Sequence, residues 1–168
     1  PRGGKERVEY NSATPNFVAT ETVAPAGVSN HGLQLRNTFY WDKKAMADAG
    51  DYTKAQLFRW LLTPNGRVSG IKHSEKKALE HRVWYAYVDQ SDPEKVGTHA
   101  LPTQVARILD GGVTQLSQFS YNKIGNLVTE TDPMGRVKGY RFDANGIDVL
   151  EVYQRNPTGV SVDLAGQQ

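Results

Sequence analysis

Hydrophobic residues fall along this chain in runs of strand length, each closed by a cluster of Gly, Pro, Asn or Asp. Residues 81–88, 104–109, 113–121 and 147–153 are such runs. They are rich in β-branched and aromatic side chains and read as strands. Further strands are expected over 31–41, ending in Phe39-Tyr40-Trp41, and over 52–62, which returns as 67–71 across Thr63-Pro64-Asn65-Gly66. Residues 20–23 offer a shorter one. Asp42 is placed to cap a short helix over 43–49, with Gly50 just beyond its C-terminus. Two helical turns are too few to stand alone. Residues 74–81 fit either a strand or a helix capped by Ser74, although Lys77 stands where a capping box has Glu or Gln. Residues 89–103 read as a polar loop, and residues 1–30 as irregular. Alternation within the strands is imperfect, as in a sheet covered partly on each side.

The turns carry more information than the strands. Asn122-Lys123-Ile124-Gly125, Asp132-Pro133-Met134-Gly135, Asp143-Ala144-Asn145-Gly146 and Asn156-Pro157-Thr158-Gly159 share the form Asn/Asp-x-x-Gly, with glycines 10, 11 and 13 residues apart. An Asn or Asp side chain opens a turn by accepting a bond from the backbone two residues on. Proline presets φ, and the closing glycine tolerates a positive φ. Pro1-Arg2-Gly3, Pro25-Ala26-Gly27 and Pro64-Asn65-Gly66 echo the phrase, and Asp110-Gly111 is a strong short hairpin signal. The expected fold is all-β, built of antiparallel β-hairpin repeats with at most one or two short helices. No clean boundary divides it: residues 1–103 read as irregular hairpins and residues 104–164 as a regular hairpin array within one unit spanning 1–168.

From Tyr121 the text becomes specific. Tyr121-Asn122-Lys123-Ile124-Gly125-Asn126-Leu127, followed by Thr131-Asp132-Pro133-Met134-Gly135-Arg136, resembles the YD repeat of bacterial Rhs (rearrangement hot spot) proteins. That repeat reads Tyr-Asp-x-x-Gly-Asn-Leu-x-x-x-Thr-Asp-Pro-x-Gly-Arg. Asn122 stands for its aspartate. A second copy begins 21 residues on, at Phe142-Asp143-Ala144-Asn145-Gly146, and then departs at Ile147-Asp148. The segment Arg36 to Lys43 resembles a stretch found ahead of such repeats. The clear repeat covers about 119–153. The resemblance implies a segment of a large hollow shell that encloses a C-terminal toxin and aids its delivery to competing cells. It further implies an exported or cell-surface location, no catalysis and no cofactor. Its partners would be the remaining repeats of one polypeptide and the enclosed toxin domain. In this family a self-cleaving segment also contains Asp-Pro-x-Gly, but Asp132-Pro133 lies inside an ordinary repeat and reads as a turn.

Composition narrows the alternatives. The chain has 168 residues, 38% hydrophobic, with 16 glycines and a net charge of +2, which is not the composition of a disordered segment. There are no cysteines, so disulfides and thiolate metal sites are absent. No apolar run reaches the roughly 18 residues of a membrane span. Lys and Arg are dispersed, apart from Lys76-Lys77, which argues against nucleic acid as a partner. The chain starts at Pro1, without a signal peptide, which suggests a piece of a longer polypeptide whose cut edge strands would self-associate.

Candidate chemistry is sparse. His31, His73, His81 and His99 have no spacing that would place two on one metal. No nucleophile elbow, phosphate loop or dinucleotide fingerprint occurs. The residues singled out are therefore the turn formers Asn122, Gly125, Asp132, Pro133, Gly135, Asp143 and Gly146. Beside them stand the aromatics Trp41, Trp84, Tyr85 and Tyr87, which suit either packing or, as a rival reading, stacking on carbohydrate. A weaker option is a hydrolase site assembled from loops 42–51 and 89–103.

Overall fold

In a computed structural model, residues 4–12, 24–25, 28, 32–48, 51–158 and 161–163 are described. Among them the protein is all-β. Eleven strands run β1 (Arg7–Ser12), β2 (Asn37–Trp41), β3 (Gln56–Leu62), β4 (Val68–Lys76), β5 (Val83–Tyr87), β6 (Pro102–Ile108), β7 (Thr114–Tyr121), β8 (Leu127–Thr131), β9 (Val137–Phe142), β10 (Val149–Arg155) and β11 (Ser161–Asp163). They form one antiparallel sheet in which each strand pairs with its neighbours in sequence. β1 and β11 are its two ends, and the sheet does not close into a barrel.

Several boundaries shift from those read in the sequence. The strand expected over 31–41 begins only at Asn37. Residues 32–36 form a turn, with Gly32 and Arg36 both at positive φ and the Leu35 amide donating to the Gly32 carbonyl. The helix expected after Asp42 is a 3₁₀ turn, Ala45–Asp48, and Asp42 does cap it: its Oδ1 accepts from the amides of Lys44 and Ala45 at 2.9 and 2.8 Å. Tyr52–Lys54 is a second 3₁₀ turn, capped by Asp51, so β3 starts at Gln56 rather than at Tyr52. The ambiguity over 74–81 resolves towards strand as far as Lys76, with Ser74 in β4 and not at a helix cap. Pro102 and Thr103 leave the expected loop and open β6. The readings at 1–3, 20–23, 26–27, 50 and 159 lie outside the described residues.

The core lies on one face of β2–β6. Alternation in β3 puts Leu57, Arg59 and Leu61 inward and leaves Gln56, Phe58, Trp60 and Leu62 half-buried. Strand register then assembles a cross-sheet row, Asn37–Arg59–Ser74–Trp84–Ala106, every member of which is buried. Beside it Phe39, Trp41, Leu57 and Ala55 cluster, with Tyr52 edge-on to Phe39 and Trp41 at 4.6 and 5.4 Å. Pro25 and Leu33 are also fully or nearly fully buried. Beyond β6, Gly139 is the only buried residue among those described.

Candidate functional site

The turn formers act as their chemistry dictates. Asn122, Asp132 and Asp143 each open a turn whose fourth residue is a glycine at positive φ, with values of 92°, 79° and 74° for Gly125, Gly135 and Gly146. In each turn the glycine amide donates back to the opening carbonyl, at 3.0, 2.9 and 3.1 Å. The opening side chain accepts two residues on: Ile124 N to Asn122, Met134 N to Asp132 and Asn145 N to Asp143, at 2.8–3.1 Å. Burial pushes the Asp132 carboxyl up, but bonds from the Arg136 and Met134 amides and the Arg136 guanidinium outweigh that and hold it below the usual Asp value. Pro133 follows Asp132 at the exposed second position. At Asp110-Gly111 the positive φ falls on Gly112, and Gly112 N donates to Leu109 O at 2.8 Å. That turn therefore joins β6 and β7 as the hairpin expected, in the same four-residue form with Leu109 in the opening place.

Turns on one edge of the sheet also touch each other. The Asn122 and Asn126 side-chain amides both donate to the Gly146 carbonyl, at 2.8 and 2.9 Å. Ile124 packs over Gly146, and Leu101 over Gly125. On the opposite edge Pro157 packs over Gly135. Next to this ladder, Val88, His99, Leu101, Phe119, Tyr121 and Ile124 line a groove of about 510 Å³.

The aromatic candidates divide differently. Trp41 and Trp84 are 0% and 1% exposed, so protein atoms occupy the ring faces a sugar would need. Trp41 Nε1 donates to the Asp51 carbonyl at 3.1 Å, and the Arg7 guanidinium lies 5.1 Å from its ring. Tyr87 is buried, and its hydroxyl donates to the Lys72 carbonyl at 2.7 Å. Burial, with the Glu75 charge, pushes its pKa up to about 12. Tyr85 is half-buried, donates to Glu75 Oε1 at 2.8 Å and lies under Lys72. Burial first, then Glu75, raises its pKa too. Of the three tryptophans, Trp60 is the one that borders open space, and the sequence singles it out for nothing. It stacks on Phe58 at 6.0 Å and lines a groove of about 450 Å³ with Tyr10, Thr38 and Val68. The alternation of β3 was the available signal, because it sets Trp60 opposite in phase to Leu57 and Leu61.

An ionic cluster under the sheet has no counterpart in any sequence motif. Glu94, in the β5–β6 loop, accepts from both Arg36 and Arg59. Arg59 is fully buried and its Nε donates to the Gly32 carbonyl at 3.0 Å. Desolvation pulls the Arg59 pKa below the ordinary arginine value, and the bond with Glu94 opposes this. His73 Nε2 stands 4.0 Å from Glu94 Oε1, and Arg82 Nη1 donates to Ser74 Oγ at 2.9 Å. Arg59 Nη1, Glu94 Oε1, Asn37 Oδ1 and Trp84 Nε1 are buried without a hydrogen-bond partner among the described residues. Backbone bonds fix the loop: Leu62 N donates to Glu94 O, and Val96 N to Leu62 O, both at 2.8 Å.

The two loops considered for hydrolysis do not converge. Residues 42–51 connect β2 to β3 at the Tyr40–Gln56 end of the strands, whereas Lys95 bridges to Leu62 at the other end. Among the described residues no three His, Cys, Asp or Glu are grouped to hold a metal, and no helix is long and apolar enough to cross a membrane. No model of a known protein family matches the chain, and neither does any curated protein.

Proposed function

We propose that this chain is a non-catalytic wall segment of an exported Rhs/YD-repeat shell that encloses a toxin domain of the same polypeptide. The observation that carries the reading is the grip of Asn122 and Asn126 on the Gly146 carbonyl. It couples the Asn122 turn to the Asp143 turn of the next repeat and so ties a thin sheet along one end of its strands, which is what a wall needs. An uninterrupted meander whose outermost strands among the described residues are β1 and β11 suits continuation by further repeats, and isolated copies would associate through those edges. The test is limited proteolysis of the polypeptide that carries these residues, with and without Asn122→Ala and Asn126→Ala together. Protection of a downstream domain that weakens in the double variant supports enclosure. A downstream domain cut equally fast in both, and as fast as when expressed alone, refutes it. Sedimentation of the isolated 168-residue chain as a strict monomer would refute the edge association.

A second reading, carbohydrate recognition, has one observation in its favour: the Trp60 groove. It moves the stacking role from Trp41 and Trp84 to Trp60. Fluorescence quenching decides it, because Trp60 supplies the accessible signal. A specific oligosaccharide that shields this signal would favour a binding module over a wall.

A further inference from the structure

Two Asn-Gly pairs lie in exposed turns of the same backbone form, Asn65-Gly66 and Asn145-Gly146. Such pairs undergo a known reaction without any enzyme. The glycine nitrogen attacks the asparagine Cγ and a new N–Cγ bond forms. The Cγ–Nδ2 bond breaks, and ammonia leaves with the proton given up by the glycine nitrogen. Water then opens the cyclic imide at either carbonyl, giving aspartate or isoaspartate. Water is the only co-reactant and nothing is oxidised.

The two turns restrain the nucleophile alike. Gly66 N donates to Thr63 O at 2.9 Å, and Gly146 N donates to Asp143 O at 3.1 Å. They differ at the electrophile and in the room to move. The Asn65 amide has a single side-chain bond, its Oδ1 accepting the Thr63 hydroxyl at 2.5 Å. Nothing lies within 4 Å of where a side chain on Gly66 would sit, so no neighbour covers that glycine. Asn145 is held at both ends of its amide. Its Oδ1 accepts from Ile147 N and Asp148 N at 2.6 and 3.2 Å, and its Nδ2 donates to Asp148 Oδ2 at 2.9 Å. The Gly146 carbonyl is gripped by Asn122 and Asn126, and Ile124 covers the glycine.

We propose that Asn65 is a site of spontaneous conversion to aspartate and isoaspartate, and that the turn ladder keeps Asn145 from the same fate. The product places a carboxylate at the tip of the β3–β4 hairpin, two residues from Arg67. Isoaspartate also adds a methylene to the backbone of that turn. The inference is independent of what the chain encloses.

The test uses the folded chain in mildly alkaline buffer, followed by trypsin and mass spectrometry. Peptides 60–67 and 142–155 each contain a single asparagine, so the conversion of each is read without ambiguity. Peptide 60–67 should convert roughly tenfold faster, the rate equivalent of the hydrogen bonds that hold Asn145. Isoaspartate, counted by enzymatic carboxyl methylation, should appear in that peptide. In urea the two rates should draw together, and Asp148→Ala should speed conversion of 142–155 in the folded chain. Equal rates in the folded chain, or a faster 142–155, overturn the proposal. An Asp148→Ala variant that leaves 142–155 as slow as before removes the ladder's part in it.

Discussion

Two cross-sheet rows have the same backbone ladder and opposite surroundings. Asn37–Arg59–Ser74–Trp84–Ala106, in the first half of the sheet, is buried from end to end. Ser120–Thr129–Gly139–Tyr153, in the second half, contains one buried residue, a glycine covered by the Tyr153 ring. The difference arises because chain from outside the strands lies over the first row: Gly32 and Glu94 both reach Arg59. The second row has no such cover among the described residues, and its cohesion comes from turns, from pairs such as Ser120 Oγ with Thr129 Oγ1 at 2.6 Å, and from neighbouring strands. One half is thus a small domain core. The other is a repeat held at its edges, and stability should be distributed accordingly.

The largest effect should come from the buried row. Trp84→Ala should cost about 3–5 kcal/mol, and Phe119→Ala, half-buried in β7, about 1 kcal/mol, as read by urea unfolding. Equal losses would erase the contrast. Glu94→Ala leaves the Arg36 and Arg59 guanidiniums without their carboxylate and should cost about 3 kcal/mol. An unchanged midpoint would mean that the cluster adds nothing net.

Gly139→Ala tests the repeat half where it is tightest, since a methyl there would run into the Tyr153 ring. It should cost about 1–3 kcal/mol, and adding Tyr153→Ala should recover part of the loss. Simple additivity in the double variant would show that the ring does not seal the glycine. Asn122→Ala removes the turn-opening acceptor and one arm of the grip on Gly146, a loss of about 1–2 kcal/mol. Hydrogen exchange should locate that loss at 122–146 and leave β2–β5 untouched.

The smallest effect is alkaline. Tyr87 is held neutral by burial, with its pKa raised from 10.0 to about 12. Its contribution is therefore complete below pH 10 and is lost as pH rises through about 12. The melting temperature should fall across that window, less steeply in Tyr87→Phe, and tyrosinate absorbance should lag behind that of the unfolded chain. Tyrosinate formation already complete near pH 10 in the folded protein would refute this.

The spacing of Gly125, Gly135 and Gly146, each paired with an Asn or Asp three residues earlier, was enough to place the last hairpins, because that turn chemistry is local and needs no distant partner. The all-β class was legible for the same reason. Asp42 was read as a cap, which it is, but the sequence could not tell a 3₁₀ turn from an α-helix of the same length. Trp41 and Trp84 were legible as important and not as buried. Their fate depends on which segments lie over the sheet, and strand periodicity carries no trace of that. Arg59 shows the limit most clearly. Its phase within Leu57-Phe58-Arg59-Trp60-Leu61 points it inward, a placement that makes sense only once Glu94 arrives 35 residues later. Sequence alone determined the turns, the strands between them and the all-β class, since these follow from backbone preferences acting over four to ten residues. Only the tertiary structure decided which face is covered, which tryptophan meets open space and which carboxylate neutralises the buried arginines, because burial and charge pairing depend on neighbours far apart along the chain.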